Sequence, residues 1–419
     1  MPDTPASTPR NTLGDRGLVV YAGLLTALGA FAVDSTLPMF VAMADDLSTP
    51  IESLPQTITI FLFAIGIGQL MFGPISDRFG RRPVLAVGLT LYSIGALLCY
   101  VADSLDTMIL GRIIQGFGSG CGPAVARAML RDRFTGDELA KQFAISVAVF
   151  SLGPILGPLL GVSLVALGGS WRLIYGCMAL VAFGLIFVLA TRLPETLRTQ
   201  RLNALKPSIL VDNCASLVGN PQSRFFMLIN VLSYVVIVLV IAGSPVVFAE
   251  NFGVTGALFA ILFALHAVGV IIGQFLNHRS IDRFGTVGTA LWAACLMAAT
   301  LCAMWFLSLS GYANAYNISA LIAVFAIGFL TVQVNSTAMA MTPHGHIAGF
   351  AASFIGSSSQ ITGSVIASLL MPLIGYSLSW WSCALMISSS MVLGMLLLWI
   401  RGNGIRPVPV ETPDAPDIP

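Results

Sequence analysis

Charge is the scarcest ingredient of this 419-residue chain: Asp, Glu, Lys and Arg together make up 9% of it, where a soluble domain carries roughly a quarter. That scarcity excludes an ordinary water-soluble globular fold. Twenty Lys and Arg stand against nineteen Asp and Glu, so there is no basic excess of the kind that nucleic acid recruits. Seven cysteines are present, mostly inside apolar runs and never spaced as CxxC, which argues against a disulfide framework and against a zinc site. The four histidines form no cluster with Cys or carboxylates; His344 and His346 make an isolated H-x-H pair. No GxxxxGK[ST] pattern occurs, so ATP is not expected. The run GFGSGCG at 116–122 mimics a dinucleotide loop, but no strand precedes it, and close helix packing through small residues explains it better. No acid, base and metal-ligand cluster gathers at one membrane face, which counts against a membrane-bound enzyme. Neither cofactor nor metal is expected, and a monomer suffices.

What the chain has in quantity is apolar length, with hydrophobic residues at 56%. A helix needs about 20 apolar residues to cross a hydrocarbon core of ~30 Å. Such runs fall at 18–42, 54–73, 84–102, 107–130, 142–167 and 172–193, and again at 225–249, 256–277, 287–309, 316–341, 347–376 and 379–400. The expected fold is therefore an all-α membrane protein of twelve transmembrane helices in two six-helix halves, 1–193 and 225–401. Between them, 194–224 is basic, contains Pro207 and Pro221, and reads as a linker with room for a short surface helix. The Pro-rich tail 402–419 carries Glu411, Asp414 and Asp417 and reads as disordered. Residues 1–17 are polar, and the first apolar run is long enough to stay as a helix. With a cytoplasmic amino terminus, eighteen of the twenty Lys and Arg fall on the cytoplasmic side, leaving only Arg112 and Arg172. This asymmetry predicts both termini and the linker to be cytoplasmic, in an inner (cytoplasmic) membrane.

The most informative stretch is GQLMFGPISDRFGRRP at 68–83, in which a burst of charge separates two apolar runs. It returns 205 positions later: Gly68, Gln69, Asp77, Arg78, Phe79 and Gly80 align with Gly273, Gln274, Asp282, Arg283, Phe284 and Gly285. An internal duplication is the economical explanation. The copies differ at Gly73, replaced by His278, and at Arg81 and Arg82, replaced by Thr286 and Val287.

The pattern Gly73, Asp77, Arg78, Gly80, Arg81, Arg82 resembles the loop between helices two and three of the major facilitator superfamily. The resemblance implies a turn that gates conformational switching, with the first copy the functional one. Further matches cover most of the chain. Leu110-Gly111-Arg112-Ile113-Ile114-Gln115-Gly116 is similar to the superfamily's fourth-helix pattern with an intramembrane Arg. Gly153-Pro154-Ile155-Leu156-Gly157-Pro158-Leu159-Leu160-Gly161 resembles its antiporter motif. On physics alone that last run is kinked by its prolines and tightly packed along a glycine face. The resemblance adds exchange of drugs for protons. A narrower likeness, to the bicyclomycin-resistance (Bcr/CflA) type of multidrug efflux proteins, rests on Asp34-Ser35-Thr36-Leu37-Pro38, Gly73 to Pro83, Arg131-Asp132, Leu193-Pro194-Glu195-Thr196 and Ala348-Gly349. A related group of exporters has a second acid two turns before the Asp; here that position is Thr26.

Asp34 is the one acid well inside an apolar run. Desolvation disfavours its charged form, so a proton can come and go near neutrality. The alternative is a cap at a helix break at Pro38 near the external surface. Arg112 either faces a cavity and tunes Asp34, or snorkels to the outer interface. Gln115, Tyr234, Gln333 and Asn335 are candidates for the substrate cavity, and His266, also intramembrane, is a secondary site for proton exchange. The expected function is proton-coupled export of small amphipathic compounds by alternating access; export of one metabolite, antibiotic or siderophore stays open beside it. The implied partners are substrate, protons and lipid.

Overall fold

A computed structural model describes residues 13–403 except residue 198; the expectations for the extreme amino terminus and for the tail from 404 onward lie outside these residues. The apolar runs become helices because a membrane offers backbone groups no other partner than one another. The first crossing is α1 (Asp15–Asp34), a 3₁₀ turn at Leu37–Met39 and α2 (Phe40–Asp46). Then come α3 (Pro55–Phe79), α4 (Arg81–Tyr100), α5 (Leu105–Ser119), α6 (Cys121–Arg133), α7 (Gly136–Ala166) and α8 (Arg172–Thr191). The linker holds α9 (Pro207–Gly219). The second half is α10 (Pro221–Phe252), α11 (Gly256–Ser310), α12 (Ala315–Met341), α13 (Ala348–Ile374) and α14 (Leu378–Asn403).

Ten of these segments are each long and apolar enough to span a bilayer. Two details bring the crossings to twelve. The 55 residues of α11 turn over at Gly285, where φ is 67°, and so cross twice. Conversely, α5 and α6 abut at Gly120 and together make one crossing.

Within the first half α1 packs on α6 and α7, and α4 on α5 and α8; within the second, α11 packs on α12 and α14, and α10 on α12 and α14. The halves meet through α3 against α13 and α7 against α11. α3 and α13 are the second and eleventh crossings; swapping the two repeats exchanges them for the eighth and fifth, which α11 and α7 contain, as a pseudo-two-fold axis requires. The glycines of GFGSGCG explain how closely the first half packs: a Cβ on Gly116 would sit 2.5 Å from Phe61 O, on Gly118 2.4 Å from Tyr92 N, and on Gly122 2.3 Å from Leu25 O. Each is a place where another helix's backbone takes the room of a side chain.

The molecule is asymmetric about the membrane plane. At the end that carries residues 13 and 403, a cleft of about 1080 Å³ opens between the halves, lined by α3, α6, the linker and the start of α13. At the opposite end Leu37, Pro38, Phe40 and Val41 close against Pro245, Val254, Thr255 and Phe259, leaving about 10 Å³.

Candidate functional site

The break in the first crossing is built locally. Pro38 cannot donate a backbone hydrogen bond, so the Asp34 carbonyl one turn earlier loses its helical partner. Ser35 Oγ donates to Phe31 O at 2.6 Å and Thr36 Oγ1 to Val33 O at 2.8 Å, folding both side chains back onto carbonyls that also accept the Ser35 and Thr36 N–H groups. Asp34, the last residue of α1, is buried at 4% exposure. Among the described residues its carboxylate makes no hydrogen bond or ion pair. An uncompensated buried carboxylate is costly unless it takes up a proton, so the position is suited to holding one.

The antiporter-type run lies against this break. α7 continues without interruption through Pro154 and Pro158, and its glycines follow α1 with increasing intimacy. A Cβ on Gly153 would meet Ala27 O at 3.5 Å; on Gly157, Ser35 N at 3.2 Å and Asp34 Cβ at 3.3 Å; on Gly161, Ser35 O at 2.4 Å.

Arg112 is fully buried and does not snorkel. Its Nη1 donates to Ala32 O at 3.0 Å and to Gln115 Oε1 at 3.1 Å, and its Nη2 donates to Thr36 Oγ1 at 3.1 Å. The guanidinium lies between the rings of Phe61 and Tyr175, at 4.8 and 5.2 Å. Ala32 and Thr36 are one turn apart on one face of the first crossing, and Asp34 falls on the other. The structure therefore brings Arg112 to Asp34's helix but makes no ion pair between them.

The four cavity candidates do not converge. Gln115 is buried between Arg112 and Met178 Sδ, its amide 3.4 Å from the sulfur. Tyr234 packs against Gly363 of α13. Gln333 reaches toward Asn230 O of α10 at 3.5 Å, whereas Asn335 donates to Asn277 Oδ1 of α11 at 2.6 Å. None of the four, nor Asp34, lines the large cleft. His266 is buried, with Nδ1 2.8 Å from Phe263 O and its ring against the Phe263 ring. His344 bonds Ser223 Oγ at 3.0 Å and Ser216 Oγ at 3.4 Å, tying the linker helix to the turn before α13; the side chain of His346 lies outside the described residues.

At the cleft-bearing end the charged turn is fully built. Gly80 adopts φ +102°, and a Cβ there would strike Glu195 Oε2 at 2.9 Å, so only glycine suits the position. The reversal throws Arg81 inward. It is 4% exposed and donates to Asp77 Oδ1 at 2.6 Å, Asp132 Oδ2 at 2.9 Å and Ser76 Oγ at 2.7 Å. The Glu195 carboxylate accepts the backbone N–H groups of Arg81, Arg82 and Leu197 at 3.0, 3.1 and 3.0 Å, placing negative charge at the positive end of α4. Arg82 Nη2 donates to Leu189 O and Ala190 O, both at 3.2 Å, closing the end of α8. Gly73 faces Ser353 of α13 across the cleft, 3.9 Å from where its Cβ would be. Arg78, by contrast, lies over the ring of Phe79 at 5.4 Å and makes no ion pair among the described residues. Sequence reasoning left Asp132 and Glu195 out of the site, although both stand in the Arg131-Asp132 and Pro194-Glu195-Thr196 motifs that carried the likeness. In the second copy Gly285 keeps the positive φ, but Thr286 and Val287 give Asp282 no cation of this kind.

The chain is 29% identical over 352 residues to multidrug resistance protein D of Escherichia coli, covering 84% of this chain and 88% of that one. It is 27% identical over 356 residues to a bicyclomycin resistance protein homolog of Haemophilus influenzae, again covering 84% and 88%. Among solved structures it superposes on a D-xylose-proton symporter with a TM-score of 0.70 at 16% identity, over 90% of this chain and 95% of that one, a likeness of fold. The sequence model described as Major Facilitator Superfamily matches residues 22–367, and with its twelve crossings, repeated charged turn and paired six-helix halves the chain belongs to that superfamily.

Proposed function

We propose that this protein is a proton-coupled antiporter that exports small amphipathic compounds by alternating access, with the cleft-bearing end and both termini in the cytoplasm. The observation that carries the reading is Asp34: a buried carboxylate without a partner, at a helix break, against the glycine face of α7. In this scheme the protonated acid is the form suited to its apolar setting. Substrate entering from the cleft competes with that proton, and the halves rock about the α3–α13 and α7–α11 contacts. The two curated relatives support this reading, being named for multidrug and bicyclomycin resistance. Arg112 acts as a positioning residue that grips the first crossing from its other face, and the charged turn around Arg81 braces the gate.

Substrate-induced proton release from the purified protein tests the assignment. Asp34→Asn mimics the protonated shape but has no proton to give, so it should bind substrate and release none. Undiminished release from that variant would move the coupling site elsewhere, with His266 next. Breadth is a separate question: in a host stripped of its own pumps, resistance to several unrelated compounds supports multidrug export, and resistance to one supports a dedicated exporter. A reporter fused after Arg401 that works only in the periplasm would overturn the orientation.

A further inference from the structure

The repeated stretch carries one residue that the coupling scheme leaves unused. Gln69, which recurs as Gln274 in the second copy, is 5% exposed, and its side chain makes no hydrogen bond among the described residues. Its backbone is held closely: a Cβ on Gly120 would sit 2.5 Å from Gln69 N, and one on Gly68 2.2 Å from Phe117 O. The amide reaches across the seam to α13, where a Cβ on Gly356 would lie 3.5 Å from Gln69 Nε2. One residue further along α13, Ser357 is fully buried and its Oγ has no partner either. A buried polar group without a partner is costly, and each one in a native fold calls for a reason.

These two groups stand at the floor of the large cleft. The seam between α3 and α13 is shut at Gly66, where a Cβ would meet Ile361 Cγ1 at 2.6 Å and both Ile361 N and Ser357 O at 3.2 Å. Toward the cleft it loosens: apart from its own helix backbone, a Cβ on Gly356 would have only Gln69 Nε2 within 4 Å, and one on Gly73 only Ser353 Oγ, at 3.9 Å. The innermost walls of the cleft are Leu70 and Gly73 of α3, Ala124 of α6, and Phe350, Ser353 and Phe354 of α13. The half-buried rings of Phe350 and Phe354 lie 5.8 Å apart and 14° from parallel. The charged residues that line the cleft, Asp77, Arg81, Arg131, Asp132 and Arg201, all stand nearer its mouth, on the last turns of α3 and α6, the start of α4 and the linker.

We infer that this floor is an entry subsite for the uncharged, ring-bearing end of a molecule that carries a carbonyl group: the ring lies against Phe350 and Phe354, and the carbonyl oxygen accepts from Gln69 Nε2. Gln69 turns a donor toward the gap, and a donor needs an acceptor. The paired phenylalanines offer a flat aromatic face, which rings stack on in offset geometry. A charged group would leave water here with no opposite charge to meet, at a cost that the floor does nothing to offset. Asp34 does not line the cleft, so the subsite is a station ahead of the coupling site and distinct from it. Its place on an export path rests on the antiporter reading, but the binding itself does not.

The test reads binding rather than transport. Benzophenone is an uncharged pair of rings joined by a carbonyl, and diphenylmethane is the same pair joined by a methylene. Tritiated benzophenone is titrated onto the full-length protein in detergent, and diphenylmethane is measured by its displacement. Comparing the ratio of the two affinities between parent and variants cancels each probe's partition into detergent. Gln69→Leu should lower the ratio in favour of benzophenone about two- to tenfold, the range of one neutral hydrogen bond. Gly356→Ala should lower it too and leave the fold intact, since its methyl group would meet Gln69 Nε2 at an ordinary 3.5 Å and cover the amide. Phe354→Leu should instead weaken both probes alike. A ratio unmoved in both Gln69→Leu and Gly356→Ala, or a parent that binds neither probe saturably, overturns the subsite. Asp34→Asn separates the two proposals, because the subsite requires the parent's ratio to survive there. A protein that releases protons on substrate addition but shows no carbonyl preference keeps the antiporter and loses the subsite; the reverse result keeps the subsite and loses the antiporter.

Discussion

Replacing Arg81 by Met removes the one cation that, among the described residues, is ion-paired to both Asp77 and Asp132, while keeping much of the side chain's length and apolar stem. The guanidinium is 5% exposed in its side chain, but the stranded acids keep 31% and 19% of theirs. Breaking a buried pair from one side costs about 3–5 kcal/mol because a charge is left behind. Here water reaches both acids, so about 2–3 kcal/mol is the reasoned figure, between that value and the ~1 kcal/mol ceiling of exposed pairs. Arg78→Met is the control, since Arg78 makes no ion pair among the described residues and should cost under about 0.5 kcal/mol as a surface change. Arg81→Lys should recover only part of the loss, because an ammonium cannot extend separate donors to two carboxylates in the guanidinium's fixed fork. Thermal unfolding of the purified protein, followed by cysteine-reactive dye at matched detergent, orders the three variants. If Arg81→Met melts with the parent, or if Arg78→Met is the more damaging, Arg81 is not the centre of the turn and the ionic geometry described above does no structural work.

The remaining expectations divide between the glycine face, the cap and the repeat. Gly161→Ala would place a methyl group 2.4 Å from Ser35 O and should cost about 1–3 kcal/mol as overpacking, while Gly153→Ala, with 3.5 Å to spare, should be tolerated; equal melting temperatures for the two would show that α7 can yield. Gly157→Leu should reach the membrane and fail to transport, and normal transport would mean that the site faces lipid or open space. Glu195→Gln weakens the charge at the amino end of α4 and should lower stability by about 0.5–1 kcal/mol, a loss that high salt should shrink. At equal expression Asp77→Asn should impair transport more than Asp282→Asn, because only the first copy has Arg81; the reverse order would undo that asymmetry.

The crossings were legible because each apolar run is as long as a bilayer is thick, and the duplication because Asp-Arg-Phe-Gly recurs at fixed offset. Pro38 announced the break in the first crossing. Which arginine of the charged turn points inward was not legible: Gly80 lies between Asp77 and Arg81, and its positive φ, which no composition reveals, turns Arg81 rather than Arg78 toward the acids. The cavity candidates show a different limit. Gln333 and Asn335 are two apart on a helix and so face nearly opposite ways; spacing alone could have ruled out one shared cavity. Gln115, three residues from Arg112, carried its own signal, since side chains at that spacing meet each other and here do.

The contact between Gly161 and Ser35 has a mechanical meaning. Most helix pairs touch through side chains, which rotate and absorb small displacements as padding does. Here the α7 backbone rests almost directly on the carbonyl of the residue after Asp34, and the same α7 presses on α11 of the opposite half. A strut without padding transmits what it receives: a shift of a few tenths of an ångström at the first crossing's break arrives at the seam between the halves with little lost. The glycines make this path stiff, and stiffness allows an event as small as one proton's arrival to be felt by a body of some two hundred residues.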